Sequence, residues 1–494
     1  MSVINISNLT FAYDGSYDNV FDDVSFQIDS DWRLGLIGRN GRGKTTLLRL
    51  LLSRGGYDYS GTITKSVSFD YFPFELADKS QYTLEIIEGI APEAQGWQIS
   101  RELSLLDVCD DVLERSFETL SNGEQTKVLL AALFLKDNNF LLIDEPTNHL
   151  DADGRAVICE YLKSKKGFIL VSHDRFILDN CINHVLSINR AGIEVQKGNF
   201  SSWLVNKQRR DNHEIAENER LQKDIKKLEE AAKRTAGWSD KLEKTKYGTR
   251  NSGLRPDRGY IGHKSAKMMK RSKAIETRRQ SAAEEKTALL KNIESADALK
   301  ITPLKHHSNR LVTLENLSVS YNGRVVCAGV NFTVEQGQRL SLSGKNGCGK
   351  SSILKLICGH EISYTGQLQT ASGLIISYVG QETSFLAGNL SDFTKEHEID
   401  ESLFKAILRK LDFSRNQFEK DVSDFSAGQK KKVLIAKSLC EKAHLYIWDE
   451  PLNFIDVLSR IQIEELLSAY APTMIFVEHD SVFSEKIASD FIRL

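Results

Sequence analysis

The sequence predicts a tandem α/β architecture: two copies of one parallel-sheet domain, separated by a long antiparallel pair of helices. Three observations carry this. A glycine-rich segment, Gly38-Arg-Asn-Gly-Arg-Gly43-Lys44-Thr45, recurs as Gly344-Lys-Asn-Gly-Cys-Gly349-Lys350-Ser351. Short, uninterrupted apolar runs surround both copies, the pattern of parallel strands buried on both faces. Between the copies lies a stretch dense in Lys, Arg, Glu and Gln. The register of the repeat is tight: Lys44 and Lys350 stand 306 residues apart, Ser121 and Ser426 305, Asp144 and Asp449 305, His173 and His479 306. A period this long marks tandem domains rather than a solenoid.

Taken in order, Val3-Ile-Asn-Ile6 and Arg33-Leu-Gly-Leu-Ile37 read as strands, the second running straight into the glycine-rich loop. Thr45 to Leu52 has helix-forming composition, and Phe140-Leu-Leu-Ile143 and Phe168-Ile-Leu-Val171 read as buried strands. Arg339–Ser343, Leu445–Trp448 and Met474–Val477 repeat the pattern, and the chain ends at Leu494, soon after its last motif, with no C-terminal extension expected. From Trp203 to Ala236 there is neither Gly nor Pro, and Leu221, Ile225, Leu228 and Ala232 fall at 4-3-4 spacing, the seam of a paired helix. A second stripe, Ile275, Ala282, Leu289 and Ala296, reinforced by Ile293, predicts the returning arm. Gly237 to Gly262 holds six glycines and prolines, with Trp238, Tyr247 and Tyr260 among basic residues, and reads as the loop joining the arms. At about 1.5 Å per residue, each arm would carry the loop roughly 50 Å. The expected domains are 1–200, a helical linker 201–305 with its tip near 237–262, and 306–494.

With 494 residues the chain is long enough for about three domains, each with its own core. No apolar run approaches the roughly 18–20 residues that span a bilayer, and Met1-Ser-Val-Ile-Asn-Ile has no secretory pattern. Seven scattered cysteines with no CxxC pair read as reduced thiols of a cytoplasmic protein rather than a zinc site. The net charge of −2 hides an asymmetry: residues 201–300 hold 25 Lys/Arg against 15 Asp/Glu. The excess concentrates at the tip, where residues 231–280 have 15 basic and 4 acidic side chains, so the middle of the chain is suited to a polyanion.

Gly, four residues, Gly, Lys and then Ser or Thr is the phosphate-loop pattern, in which backbone N–H groups at a helix N-terminus converge on a polyphosphate. The first loop offers Gly38, Asn40, Gly41, Gly43, Lys44, Thr45 and Thr46, and the second Gly344, Asn346, Gly347, Gly349, Lys350, Ser351 and Ser352. Lys44 and Lys350 are expected to reach the β- and γ-phosphates of ATP, and the Thr45 and Ser351 hydroxyls to ligate Mg²⁺. Asp144-Glu145-Pro and Asp449-Glu450-Pro follow apolar strands: each Asp would assist the metal, and Glu145 and Glu450 would orient or deprotonate the attacking water. His173 and His479 follow another strand, where an imidazole would meet the γ-phosphate.

Leu120-Ser-Asn-Gly-Glu-Gln125 and Phe425-Ser-Ala-Gly-Gln-Lys430, each 23 residues before the metal Asp when counted from the Ser, resemble the signature of ATP-binding-cassette ATPases. Two cassettes, no membrane segment, a charged helical hairpin and Asp144-Glu-Pro-Thr-Asn-His-Leu-Asp151 resemble the F subfamily (ABC-F), whose members act on ribosomes. Trp32-Arg-Leu-Gly-Leu-Ile-Gly-Arg-Asn-Gly-Arg-Gly-Lys and Phe425-Ser-Ala-Gly-Gln-Lys-Lys-Lys are similar to its Lsa/Vga-type antibiotic-resistance members.

The resemblance implies two tandem ABC-type P-loop ATPase domains in a monomer, and composite ATP sites. Site one would join Lys44, Thr45, Asp144, Glu145 and His173 to Ser426 and Gly428; site two would join Lys350, Ser351, Asp449, Glu450 and His479 to Ser121 and Gly123. Tyr13 and Tyr321 would stack on adenine or simply end their strands. It further implies binding of the bacterial ribosome at the tRNA exit site, against large-subunit rRNA and P-site tRNA. Trp238, Lys241, Lys244, Lys246, Tyr247, Arg250, Arg255, Arg258 and Tyr260 would contact RNA, relieving lincosamide, streptogramin A and pleuromutilin inhibition. The alternatives are a housekeeping translation factor of the same subfamily and the motor of an exporter. Two departures stand out. The family's metal-side glutamine is present as Gln381 but replaced by Phe74, and the second post-carboxylate segment is Pro451-Leu-Asn-Phe-Ile-Asp456. The spacing from loop Lys to signature Ser, 77 and 76 residues, leaves no room for the arm that some members insert in the first cassette.

Overall fold

The computed structural model describes residues 3–245 and 301–494 apart from 14–18, 54–55, 75, 138, 149, 190–191, 322 and 346, and between those stretches residues 267, 270 and 277. The apolar runs become the central strands of two parallel sheets. In the first cassette the order is Ser68–Phe72, Asn139–Asp144, Phe168–Val171, Arg33–Gly38, His184–Asn189 and Gly192–Lys197, parallel except for the last pair. The second cassette repeats it as Ile376–Val379, Leu445–Asp449, Met474–Val477, Arg339–Ser343 and Asp490–Arg493. Val, Ile, Leu and Phe fill the central strands because both faces are covered: every residue of Phe168–Val171 and of Met474–Val477 is buried. Beside each parallel sheet lies a three-stranded antiparallel one, centred on Val3–Phe11 and on Arg310–Tyr321.

Sequentially distant strands are neighbours here, so the C-terminal ends of the parallel strands gather the motif residues at one edge. Asp144 opposes Val171 and Asp449 opposes Val477, which brings each carboxylate strand alongside the strand leading to its histidine. The phosphate-loop strand lies on the far side of that histidine strand. Ligand sites of open α/β sheets collect at this edge.

Two expectations are corrected. The segment 301–305 does not belong to the linker. Ile301 is buried in the core of the second cassette with Val379, Leu386 and Phe404, and the Leu304 amide donates to Ala443 O at 2.8 Å. The first arm is one helix, Phe200–Thr245, so Trp238, Lys241 and Lys244 lie on a helix and not on a loop that starts at Gly237. A single Gly costs a helix about 1 kcal/mol, which the surrounding Ala, Lys, Glu and Leu offset. At the root of this helix Phe200 and Trp203 are buried with ring centroids 5.7 Å apart. The side chains of Ile225 and of residues 228–245, the loop positions Lys246, Tyr247, Arg250, Arg255, Arg258 and Tyr260, and nearly all of the returning arm lie outside the described residues. Among the described residues no helix is long and apolar enough to cross a membrane.

Candidate functional site

Each phosphate loop turns into its helix through a glycine in the left-handed region, Gly43 at φ 87° and Gly349 at φ 93°. A Cβ on Gly43 would lie 2.6 Å from Val20 Cγ1, so both conformation and space demand glycine. Lys44 Nζ donates to Gly38 O at 2.7 Å and Arg39 O at 3.2 Å, and Lys350 Nζ to Gly344 O at 2.8 Å and Lys345 O at 2.9 Å. Both ammonium groups thus rest on neutral oxygens of their own loops, and burial lowers the pKa of Lys44. Such a cation, ringed by backbone N–H groups, suits a polyphosphate. Of the remaining loop residues, Asn40, Gly41 and Thr46 line the first site and Gly347 and Ser352 the second; Asn346 lies outside the described residues.

The paired carboxylates sit where the sheet edge places them. Thr45 Oγ1 lies 3.4 Å from Asp144 Oδ2, and Ser351 Oγ donates to Asp449 Oδ1 at 3.1 Å. Glu145 and Glu450 both adopt left-handed backbone, φ 51° and 48°, although neither is glycine. Strain of about 1–3 kcal/mol at such a residue persists only where surrounding structure imposes it. Here their amides are tied across the sheet to Val171 O at 2.9 Å and Val477 O at 3.0 Å. Glu145 Oε1 makes no hydrogen bond but meets His173 Nε2 at 3.4 Å, whereas Asp449 Oδ2, on the carboxylate that Ser351 bonds, is buried without a partner. A hydroxyl and a carboxylate with an uncommitted oxygen form the donor set that a hard divalent cation takes.

The two histidines approach their glutamates alike, Nε2 to Oε1 at 3.4 Å for His173–Glu145 and 3.3 Å for His479–Glu450. The electrostatics differ. Burial, with the charge of Asp144 added, pushes Glu145 up to about 8, and burial followed by the charge of Lys44 drives His173 well below the usual imidazole range. At Glu450 burial also pushes upward. It is outweighed by the hydrogen bond and charge of His479 and by the 2.6 Å bond from Asn453 Nδ2, leaving the carboxyl below its ordinary value.

Both sites are completed by the opposite cassette. A cavity of about 470 Å³ is lined by Tyr13, Lys44, Thr45, Asp144, Glu145 and His173 and, from the second cassette, by Ser426, Gly428 and Phe454. Its counterpart, about 450 Å³, is lined by Lys350, Ser351, Gln381, Glu450 and His479, facing Asn122, Asn148, Leu150 and Arg155 of the first cassette. Ser121 and Gly123 flank Asn122 without lining that cavity. Both signature serines cap their helices, accepting from Glu124 N at 3.2 Å and Gln429 N at 3.3 Å. Tyr13 and Tyr321 are each tied to the residue after the loop hydroxyl, Tyr13 to Thr46 at 2.7 Å and Tyr321 to Ser352 at 3.1 Å, and only Tyr13 lines its cavity.

Several contacts escaped the motif reading. Asn40 Nδ2 donates to Phe454 O at 2.8 Å, Phe454 lines both cavities, and Arg42 pairs with Asp412 at 3.1 Å. Cys348 stands at the Arg42 position of the second loop, a difference visible in the alignment of the halves, but its partner 370 residues away was not. Tyr71 donates to Asp144 Oδ2 at 2.9 Å.

The ABC transporter family model matches this chain twice, over residues 21–148 and 327–453, half of its length. The chain belongs to the ABC transporter family. It is similar to ribosome protection protein VmlR of Bacillus subtilis (strain 168), 29% identical over 98% of this chain and 85% of that protein. It is also similar to ATP-binding protein Uup of Buchnera aphidicola subsp. Acyrthosiphon pisum, 27% identical over 99% and 80%. ABC transporter F family member 2 of Arabidopsis thaliana matches at 23% over 100% and 76%. The archaeal ribosome recycling factor aABCE1, solved with ribosomal stalk protein aP1, shares the fold: TM-score 0.62 at 17% identity, covering 98% of this chain and 87% of that one. This ABC protein is a tandem-cassette ATPase.

Proposed function

We propose that this ATPase is an ABC-F protein that binds the bacterial ribosome, Mg²⁺-ATP holding it in place and hydrolysis releasing it, and that it protects the peptidyl-transferase centre from lincosamides, streptogramin A and pleuromutilins. The observation that carries the reading is the basic segment that separates the two cassettes in the sequence: 25 Lys/Arg against 15 Asp/Glu over residues 201–300, in a chain of net charge −2. An exporter motor has no use for it, whereas an rRNA-lined cavity does. The similarity to a ribosome protection protein over nearly the whole chain favours protection over housekeeping rescue. The linker would enter from the tRNA exit site beside P-site tRNA, with the protein a cytoplasmic monomer.

The same proposal assigns a role to each group lining the two sites. Lys44 and Lys350 bind the phosphates. Thr45 with Asp144, and Ser351 with Asp449 and Gln381, would hold Mg²⁺, which would supply charge neutralisation to the phosphates. Glu145 and Glu450 orient the water, and His173 and His479, beside them, face the γ-phosphate. Ser426, Gly428 and the segment around Ser121 and Gly123 close on the nucleotide from across the interface, so closure and ATP occupancy are linked.

The test is ribosome co-sedimentation of the Glu145→Gln, Glu450→Gln double variant, with drug susceptibility of cells carrying the wild-type gene. The double variant should bind ATP, hydrolyse it at least a hundredfold more slowly and stay on ribosomes, and the wild type should raise resistance to the three drug classes. Retention without resistance would favour the housekeeping reading; normal turnover, or no retention, would sink the proposal.

A further inference from the structure

The strand beside each carboxylate strand carries a tyrosine at the same register in both halves, and only one of the two is used. Tyr71 opposes Leu142 as Tyr378 opposes Ile447, in parallel pairs that end one step before Asp144 and Asp449. Three residues further on, the halves diverge, with Phe74 in the first and Gln381 in the second. Gln381 Nε2 donates to Asp449 Oδ1 and to Ser351 Oγ, both at 3.0 Å. Tyr378 Oη, in the same half, is a buried atom without a hydrogen-bond partner. In the first half the Phe74 ring has no donor to offer, and Tyr71 Oη reaches Asp144 Oδ2 at 2.9 Å, on the oxygen that Thr45 Oγ1 also approaches. The task of fixing the carboxylate has moved from a loop amide to a strand phenol.

We propose that Tyr71 is the positioning residue of site one, its hydroxyl orienting the Asp144 carboxylate toward the nucleotide-bound cation as Gln381 orients Asp449 in site two. This rests on the Mg²⁺ reading above. A phenol O–H can only donate to an ionised carboxylate. It therefore commits Oδ2 and leaves Oδ1 available, just as Gln381 commits Oδ1 of Asp449 and leaves Oδ2. Partners of metal-binding carboxylates typically alter metal affinity about 10–100-fold when removed.

The test uses the full chain with Mn²⁺ in place of Mg²⁺ and a non-hydrolysable ATP analogue, counting bound Mn²⁺ by electron paramagnetic resonance. The wild type should bind two ions per chain. Tyr71→Phe should weaken one of them at least tenfold while leaving metal-free nucleotide affinity, measured in EDTA, unchanged. Adding Phe74→Gln to Tyr71→Phe should restore it, and Tyr378→Phe should leave both ions as they were. The proposal is overturned if Tyr71→Phe keeps both affinities, if nucleotide affinity in EDTA falls by the same factor, or if Phe74→Gln fails to restore the ion. The double variant and Tyr378→Phe also report whether a phenyl ring is tolerated at this strand position. Two ions that ignore Tyr71 leave the Mg²⁺ reading standing; no nucleotide-dependent Mn²⁺ at all removes both.

Discussion

Asp456 shows how far one side chain in this protein departs from its counterpart. Its first-cassette equivalent, Asp151, caps a helix by accepting from Gly154 N at 3.0 Å. Asp456 does the same for Ser459 N at 2.9 Å, but its Oδ2 also takes the fully buried Lys432 ammonium at 2.8 Å and approaches the Asn40 amide of the other cassette at 3.4 Å. Burial pushes this carboxyl up; the charge of Lys432, then of Lys44, outweighs it and holds the pKa far below the usual carboxylate range. A depressed folded-state pKa stabilises the protein above the unfolded value of about 3.9, and that stabilisation is lost as pH falls below it. Asp456→Asn keeps the cap but strands the Lys432 ammonium, and should cost the second cassette about 3–5 kcal/mol at pH 7. Urea unfolding followed from pH 7 to pH 3 should show the wild-type advantage constant above about pH 4.5 and narrowing below pH 4. An advantage that is absent at pH 7, or that grows on acidification, would refute the ion-pair account.

Between elements, the helix Arg175–Cys181 makes a contact its counterpart cannot. Arg175 stands two residues after His173, and its guanidinium is bidentate on Glu464 of the second cassette, with Nη1 3.0 Å from Oε2, and 3.4 Å from Asp480, the residue after His479. One buried cation therefore touches the segments that carry both histidines. At the repeat-related positions stand Ser481 and Cys159, so the link runs one way only. Arg175→Met leaves the fully buried Glu464 with only Lys486, at 3.4 Å, and should destabilise the closed pair of cassettes by about 3–5 kcal/mol. Glu464→Met added to it should recover most of the loss, because apolar pairs often replace buried ion pairs at little cost. A thermal double-mutant cycle reads this directly; additive losses would mean the two side chains are not coupled.

At the scale of the whole molecule, the cassettes are proposed to be the clamp and the linker the effector. Replacing residues 246–262 by a Gly-Ser loop of equal length should leave ATP hydrolysis and most ribosome co-sedimentation intact while abolishing drug protection. Neutralising basic residues of Phe200–Thr245 should instead lower ribosome affinity and flatten its salt dependence. Undiminished protection by the loop-replaced protein would transfer the effector role to the helix.

The strands, the phosphate loops, the carboxylate pairs and the histidines were legible because each is a local pattern: an apolar run, a spacing of glycines, a charge at a strand end. The duplication doubled every such signal, and the same comparison exposed Phe74 against Gln381. Gly237 misled, since a glycine reads as a helix end when the neighbours able to carry the helix through it are not weighed. What tertiary structure alone decided are the pairings between distant segments. Tyr71 reaches Asp144 because strand register sets them side by side, and Asn40 meets Phe454, Arg42 meets Asp412 and Arg175 meets Glu464 because the cassettes face one another. A sequence states which groups are charged or apolar within a few residues of one another. Which two charges, hundreds of residues apart, share one buried space depends on how complete sheets and cassettes dock, and that is settled only when the chain has folded.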